Sequence, residues 1–410
     1  MGRDRADLRG HSRARSRVID RFDPRPLVLT IGVHRTIRGI SQTDWDSCFP
    51  EDPEGWAFHR AVEDSELVAF SWAYFAVHEH DRVVAVVPAF VTDYRLDTTI
   101  QGPWRTALQP LLRRLKRPLT LRLLCLGSPL ADKCHLGFAP DFPAVRRREV
   151  VGRLLACVDA FAVTHGIRLV AAKDITDVDL ENGVDATFAA AGFTRQPSLP
   201  NTVLALPDGG EDAYLRALSH AARRDVRRKL QTRDLVQIEH RHGREALTLL
   251  PDIVQLYKDQ RDRSPLDFGQ FETLTPAYFR QVLIEQGEAA VVSLYLHQGQ
   301  PLAFNLCYHT GRLFIDKFIG FKPPLSRAFN LYVVSWMTNV RYCLARGIPI
   351  LQTGQTAYAM KLHLGAKLQP NWIFFRHGNP ILNATLRLAS PLLAADRYDA
   401  DLAHTSGTAQ

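Results

Sequence analysis

No run of the sequence reaches the roughly 18 uninterrupted apolar residues that a membrane-spanning helix requires. The N-terminus also lacks the apolar core of a secretory signal, since Met1 to Arg25 carries eight Arg against four Asp. The chain therefore reads as cytoplasmic, with a basic, disordered tail over residues 1–40. Cysteine is sparse: Cys48, Cys125, Cys134, Cys157, Cys307 and Cys343 are scattered, with no CxxC pair and no Cys/His spacing suited to zinc. A disulfide framework is excluded, no metal is expected, and the thiols read as reduced packing residues. Also missing are a P-loop, a Rossmann glycine fingerprint, HExxH, GxSxG and any DNA-reading helix signature, so the familiar nucleotide, zinc-hydrolase and serine-hydrolase chemistries have no sequence support and no DNA partner is expected.

What is present is the composition of a globular chain: 410 residues, 46% hydrophobic and 23% charged, enough for two or three domains at about 150 residues each. The charge, 51 Lys plus Arg minus 43 Asp plus Glu, is +8, which permits a nucleic acid or acidic partner without demanding one. Leu108 to Leu124 and Pro380 to Ala394 are amphipathic; both read first as core helices, with peripheral membrane contact as the second use.

Periodicity organises the rest. A short helix at Thr43 to Phe49 precedes two antiparallel strands, Trp72 to His78 and Val83 to Thr92. Strand Leu119 to Leu126, helix Pro143 to His165, strand Ile167 to Asp174, helix Val184 to Ala191 and the extended segment Asn201 to Leu206 follow. Four turn formers, Pro207-Asp208-Gly209-Gly210, mark the domain boundary. Beyond it comes one basic helix, Glu211 to Arg233, with seven cations (Arg216, Arg223, Arg224, Arg227, Arg228, Lys229, Arg233) against three acids. Then come strand Val236 to His240, helices Ala246 to Arg263 and Pro276 to Gln286, and a ladder of Ala289 to Leu296, Pro301 to His309 and Leu313 to Phe321. Helix Asn330 to Arg346, strand Ile348 to Thr353, a short helix over Ala357 to Leu364 and strand Trp372 to Arg376 complete the pattern. The two halves share an element order, which predicts duplicated mixed sheets of the α/β (α+β) class. The expected division is 41–207 and 208–379, with 380–410 as an appendage.

The basic segment Leu218 to Lys229 and the segment Gly354-Gln355-Thr356-Ala357-Tyr358-Ala359-Met360-Lys361-Leu362-His363-Leu364-Gly365 carry a likeness. Together they resemble the GNAT superfamily of N-acyltransferases, in its double-domain branch that includes Fem-type peptide-bridge transferases and acetyltransferase domains of cellulose-biosynthesis proteins. The resemblance covers Glu211 to His377 and reaches the first half, as a degenerate copy, only through element order. It implies two tandem GNAT-like domains, a cleft between the parting strands Leu313 to Phe321 and Ile348 to Thr353, and acyl-CoA as the donor. A phosphate-holding loop falls at Lys322 to Asn330. That loop has no glycine and two prolines without N–H, so Ser326, Arg327 and the helix start are the expected anion-binding groups.

The chemistry of acyl transfer to an amine selects the remaining candidates. Asp316 sits mid-strand between Ile315 and Lys317 as base or amine anchor, on the opposite face from Lys317. Tyr358 and Lys361, three residues apart on one helix, read as a phenol donor and a cation for an acceptor's carboxylate or phosphate. Gln352 and Gln355 flank Gly354 as orienting groups. The expected acceptor is a small amine, an amino sugar or a cell-envelope precursor. The alternatives are a Fem-type transferase using aminoacyl-tRNA, to which the basic helix would contribute, and a GNAT-shaped protein that binds without catalysing.

Overall fold

Short, β-branched and aromatic segments separated by tight turns assemble into two twisted sheets. The computed structural model describes residues 28–95, 120–263 and 269–390. In chain order the first half contains β1 (Leu29–His34), α1 (Gln42–Cys48), α2 (Trp56–Glu63), β2 (Ser71–Glu79), β3 (Arg82–Arg95), β4 (Thr120–Leu126), β5 (Gly137–Phe138), α3 (Ala144–Thr164), β6 (Leu169–Ile175) and β7 (Thr194–Pro197). The second half contains β8 (Asn201–Ala205), α4 (Gly210–Ala217), α5 (His220–Lys229), β9 (Gln237–His242), α6 (Leu250–Arg263), α7 (Pro276–Glu285), β10 (Ala290–His297), β11 (Gln300–His309) and β12 (Leu313–Phe321). It closes with α8 (Leu331–Arg346), β13 (Ile350–Thr353), α9 (Tyr358–His363), β14 (Lys367–Gln369), β15 (Trp372–His377) and α10 (Pro380–Ala389).

The first sheet runs β1-β2-β3-β4-β6-β15-β7 with β5 beside β3, and the second runs β9-β10-β11-β12-β13-β8-β14. They are the same plan twice. In each, antiparallel strands lead to one parallel pair, β4 with β6 and β12 with β13. A long helix, α3 or α8, makes the crossover that a parallel pair requires. Gly347, at φ 67°, ends α8 in the left-handed conformation that a side chain would resist.

The strands do not keep to either side of the turn at Pro207. β8 pairs with β13 and β14 in the second sheet, and β15 pairs with β6 and β7 in the first. The boundary expected at Pro207 is therefore corrected: the chain changes sheets at β8, before that turn, and returns at β15. The halves also share an apolar core in which Phe58, Phe70, Phe90 and Leu169 pack with Leu256, Phe279, Phe304 and Tyr308. Separating them would break two central strand pairings and expose that core.

Three further expectations change. Residues 1–40 are not all tail, because Leu29–His34 pairs along its full length with β2. The amphipathic reading of Leu108 to Leu124 divides, since 108–119 lie outside the described residues and Thr120 onward is β4. The basic helix is broken: Leu218 is extended, and the Ser219 side chain accepts the Ala222 N–H to start α5 afresh. Arg223 turns back to donate to the carbonyls of Leu215, Arg216 and Leu218, capping α4, while Arg228 and Lys229 pair with Asp225.

Candidate active site

The parallel pair β12 and β13 is in register from Leu313 opposite Ile350 to Asp316 opposite Thr353. β13 stops there, but β12 continues to Phe321 with no strand on that edge among the described residues. The parting is made sharper by a bulge against β11: Cys307 opposes Asp316 and Leu306 opposes Phe318, so Lys317 is the extra residue.

Asp316 and Lys317 point to opposite sides, as their spacing requires. The Asp316 carboxylate accepts from Asn305 Nδ2 at 2.6 Å and from Asn339 Nδ2, on α8, at 3.1 Å. It is surrounded by protein yet keeps accessible surface, which fits the floor of a cleft. Burial raises its pKa, and the two amides and the nearby Lys361 ammonium hold that rise in check. Lys317 is buried against the first domain, its Nζ donating to Glu54 Oε1 at 2.7 Å and Asp132 Oδ1 at 3.1 Å. Burial would lower its pKa, but the two carboxylates outweigh it and raise the value.

At the end of β13, Lys361 is buried rather than exposed and donates to the Gly354 carbonyl. Burial depresses its pKa to about 8, against the pull of Asp316 and Asp132. Gln355 reaches Asp174 Oδ1 at 3.4 Å and Asn201 Oδ1 at 3.2 Å, tying the segment to the first domain. Gln352 lies half-buried on β13. The structure relocates the phenol: Tyr358 is fully buried and its hydroxyl donates to Pro200 O at 3.0 Å, so it anchors α9 to the segment before β8 instead of facing the cleft.

Beside the unpaired end of β12 lies a cavity of about 660 Å³ lined by Phe321, Ser326, Arg327, Tyr332, Lys229 and Arg263, among others. The expected anion-binding pair, Ser326 and Arg327, is therefore at a cavity wall. Lys229 from α5, Arg263 from α6 and Tyr332 from α8 were not foreseen. Burial, reinforced by the Asp316 charge, raises the Tyr332 pKa, which puts this phenol within electrostatic reach of both cavity and carboxylate. Asn330 adopts a left-handed conformation and makes no side-chain cap, so the first turn of α8 meets the cavity with its amides uncapped by that residue. Among the described residues no group of three or more His, Cys, Asp or Glu is arranged to hold a metal ion.

Two sheets of one plan, each with a parting parallel pair, define a protein of two tandem GNAT-like domains. Residues 220–362 match the family model described as the acetyltransferase (GNAT) domain, so the chain carries a GNAT domain over that stretch. No curated protein matches it. Among solved structures, FemX is 14% identical with a TM-score of 0.57, over 87% of this chain and 100% of that one, and so shares the fold. A tandem GNAT protein from the clavulanic acid biosynthesis pathway is 12% identical, TM-score 0.49, over 86% and 99% of the two chains. The C-terminal domain of a putative lysylphosphatidylglycerol synthetase from Agrobacterium fabrum is 14% identical, TM-score 0.48, over 84% and 94%.

Proposed function

We propose that this chain moves an acyl group from an acyl thioester, acyl-CoA in the first instance, to the amine of an amino-sugar or cell-envelope precursor in the cytoplasm. The observation that carries the reading is the cavity beside the unpaired end of β12, with Lys229, Arg263 and Arg327 on its wall, and Asp316 on the same strand at the point where β13 stops. A donor with its phosphates among the cations would lay its pantetheine amides along the free edge of β12 as an added strand. That brings the thioester to Asp316.

There the acceptor's ammonium would meet a carboxylate already oriented by two amides. Its raised pKa makes it a better base for the amine proton than an exposed Asp. As the amine nitrogen bonds to the thioester carbon, the carbon–sulfur bond breaks and the leaving sulfur needs a proton. Tyr332 is the phenol at the cavity wall for this step, in the role first assigned to Tyr358. Lys361 reads an anionic group of the acceptor, with Gln352 and Gln355 orienting it. The apolar Ile381 and Leu388 exposed on α10 would suit an acceptor carried at a membrane surface. The described residues hold no helix long and apolar enough to cross a membrane.

The aminoacyl-tRNA reading has less support, because Arg223 and Arg228 of the basic segment are engaged within the protein. The discriminating experiment is thermal shift and single-turnover transfer with acetyl-CoA and longer acyl-CoAs, beside charged tRNA. Stabilisation by acyl-CoA with acylation of an amine supports the proposal. Salt-sensitive binding of charged tRNA with silence toward every thioester would move it to the Fem reading. Silence with both would leave a GNAT-shaped binding protein.

A further inference from the structure

The loop that should cradle phosphates has almost no backbone left for the task. Of the nine residues Lys322 to Asn330, Pro323 and Pro324 have no N–H, and six of the others donate theirs inside the protein. Lys322 donates to Leu302 O, Ser326 to Lys322 O, Arg327 and Ala328 to Pro324 O, Phe329 to Leu325 O and Asn330 to Arg327 O. Leu325 remains, but it does not line the cavity. In this loop and the helix it leads into, the wall amides with no internal acceptor are the first of α8, at Leu331 and Tyr332.

The side chains tell the opposite story. Lys229, Arg263 and Arg327 converge on the cavity from three separate elements, and among the described residues no Asp or Glu lines it. Two of the three are held in place by a second contact: Arg263 donates to the Phe321 carbonyl at the end of β12, and Lys229 Nζ lies 2.9 Å from Asp225 Oδ2 on its own helix. Fixed cations on a wall without acids favour a multiply charged anion, and guanidinium groups match phosphate oxygens in geometry as well as charge.

We propose that the donor's phosphates are gripped by a clamp of three side-chain cations, Lys229, Arg263 and Arg327, in place of the backbone-amide cradle that the GNAT resemblance implies. This rests on the reading that the donor occupies this cavity, and it assigns Lys229 and Arg263 a binding role. Recognition by side-chain charge has two consequences that a cradle of amides lacks. Affinity falls as salt screens the exposed cations, and it is lost stepwise as each charge is removed.

The test uses the full chain with inorganic pyrophosphate and CoA as probes, followed by calorimetry and thermal shift at low and high NaCl. Wild type should bind both and weaken several-fold as salt rises. R327Q, R263Q and K229Q should each weaken both probes by roughly tenfold to a hundredfold, the equivalent of one charge-assisted hydrogen bond. R327K and R263K, which keep the charge and would fold alike, should retain most of the binding. A wild type that ignores pyrophosphate, or Gln variants that bind CoA as tightly as wild type at every salt concentration, would overturn the clamp. Pyrophosphate binding that obeys the clamp without any turnover of acyl-CoA would sink the transfer reading alone. Turnover of acyl-CoA indifferent to all three substitutions would sink the clamp alone.

Discussion

Lys317→Met probes the join between the halves and the bulge that aims Asp316. Lys317 Nζ is within hydrogen-bond distance of Glu54 and Asp132, and the side chains of Lys317 and Glu54 are 3% and 1% exposed. Methionine replaces the stem but leaves Glu54 buried with one weak donor, the Asp132 N–H at 3.4 Å. Breaking a buried ion pair from one side costs about 3–5 kcal/mol. The strand pairings across Pro207 make the halves one cooperative unit, and at ~2.1 cal/mol/K per residue the loss over 410 residues corresponds to a Tm drop of about 4–6 °C. The triple variant K317M/E54Q/D132N should recover most of it, since no charge is then left unpaired. The pH dependence has a definite sign. Asp132 would be pushed up by burial, but the Lys317 charge holds its pKa below the ordinary 3.8; the folded state therefore binds fewer protons than the unfolded one as pH falls past 3.8. The stabilisation is present above that value and fades below it, so wild type and K317M should converge in acid. Calorimetry from pH 3 to 7 reads all of this. A K317M protein melting within a degree of wild type at pH 7, or a triple variant no more stable than the single, would refute the reasoning.

Three other outcomes are expected. Asp316→Asn keeps the shape and removes the base, so single-turnover acyl transfer should slow by about 10²–10⁴ with little change in melting temperature; unchanged rates would exclude Asp316 from the chemistry. Lys361→Met should be more stable than wild type at pH 7. Folding lowers the Lys361 pKa from 10.5 to about 8, a penalty on the order of 3 kcal/mol, reduced by about 1 kcal/mol for the lost bond to Gly354 O. The unfolded lysine keeps its proton up to pH 10.5 and the folded one only to about 8, so wild-type stability climbs across that window and the variant's advantage should shrink there; denaturant titrations showing a constant gap from pH 7 to 10 would contradict the assignment. Gly354→Lys should fold normally, because a Cβ there meets nothing within 4 Å, yet it should obstruct donor entry; undiminished CoA affinity by calorimetry would count against the cleft's position.

Local patterns carried well from sequence to structure, while anything dependent on partners did not. The ladder strands and both crossover helices lie within a few residues of their expected ends, because apolar alternation and a stop such as Gly347 are local signals. β1 was absorbed into the basic tail, since six residues of Leu29–His34 offer little pattern and gain their order from β2. The break at Ser219 was available as an N-cap signal but was masked by the charge run around it. Nothing in Asn201–Ala205 or Trp372–His377 indicates which sheet each strand joins. Of the proposed site, Asp316 was legible in the sequence as a carboxylate in an apolar strand, and Ser326 and Arg327 as the loop before a helix. Lys229, Arg263 and Tyr332 were not, because they meet only when three separate elements converge. Tyr358 was misread because a Tyr and a Lys on one helical face look alike whether the face is turned to a cleft or to a loop.

The duplicated plan supplies an internal control for the proposed cleft, because the same parting is filled differently in the two sheets. The parallel pair in the first sheet ends at Leu126 opposite Ala172, and in the second at Asp316 opposite Thr353. The next residue after the last pair, on the chain segment that follows the crossover helix, is Lys173 in one case and Gly354 in the other. Lys173 reaches over the gap and donates to Ser128 O at 3.1 Å and Ala131 O at 2.7 Å, while the Cys134 N–H bonds to Asp174 O at 3.0 Å. The chain after β4 is thus stitched across the parting where a donor would lie. Gly354 has no side chain to do the same, and the strand that leads away from Asp316 keeps its edge free. On the proposed reading, Lys173 braces the first parting while Gly354 leaves the second one free, and the first domain holds Lys317 and Gln355, on either side of that parting, through Glu54, Asp132 and Asp174.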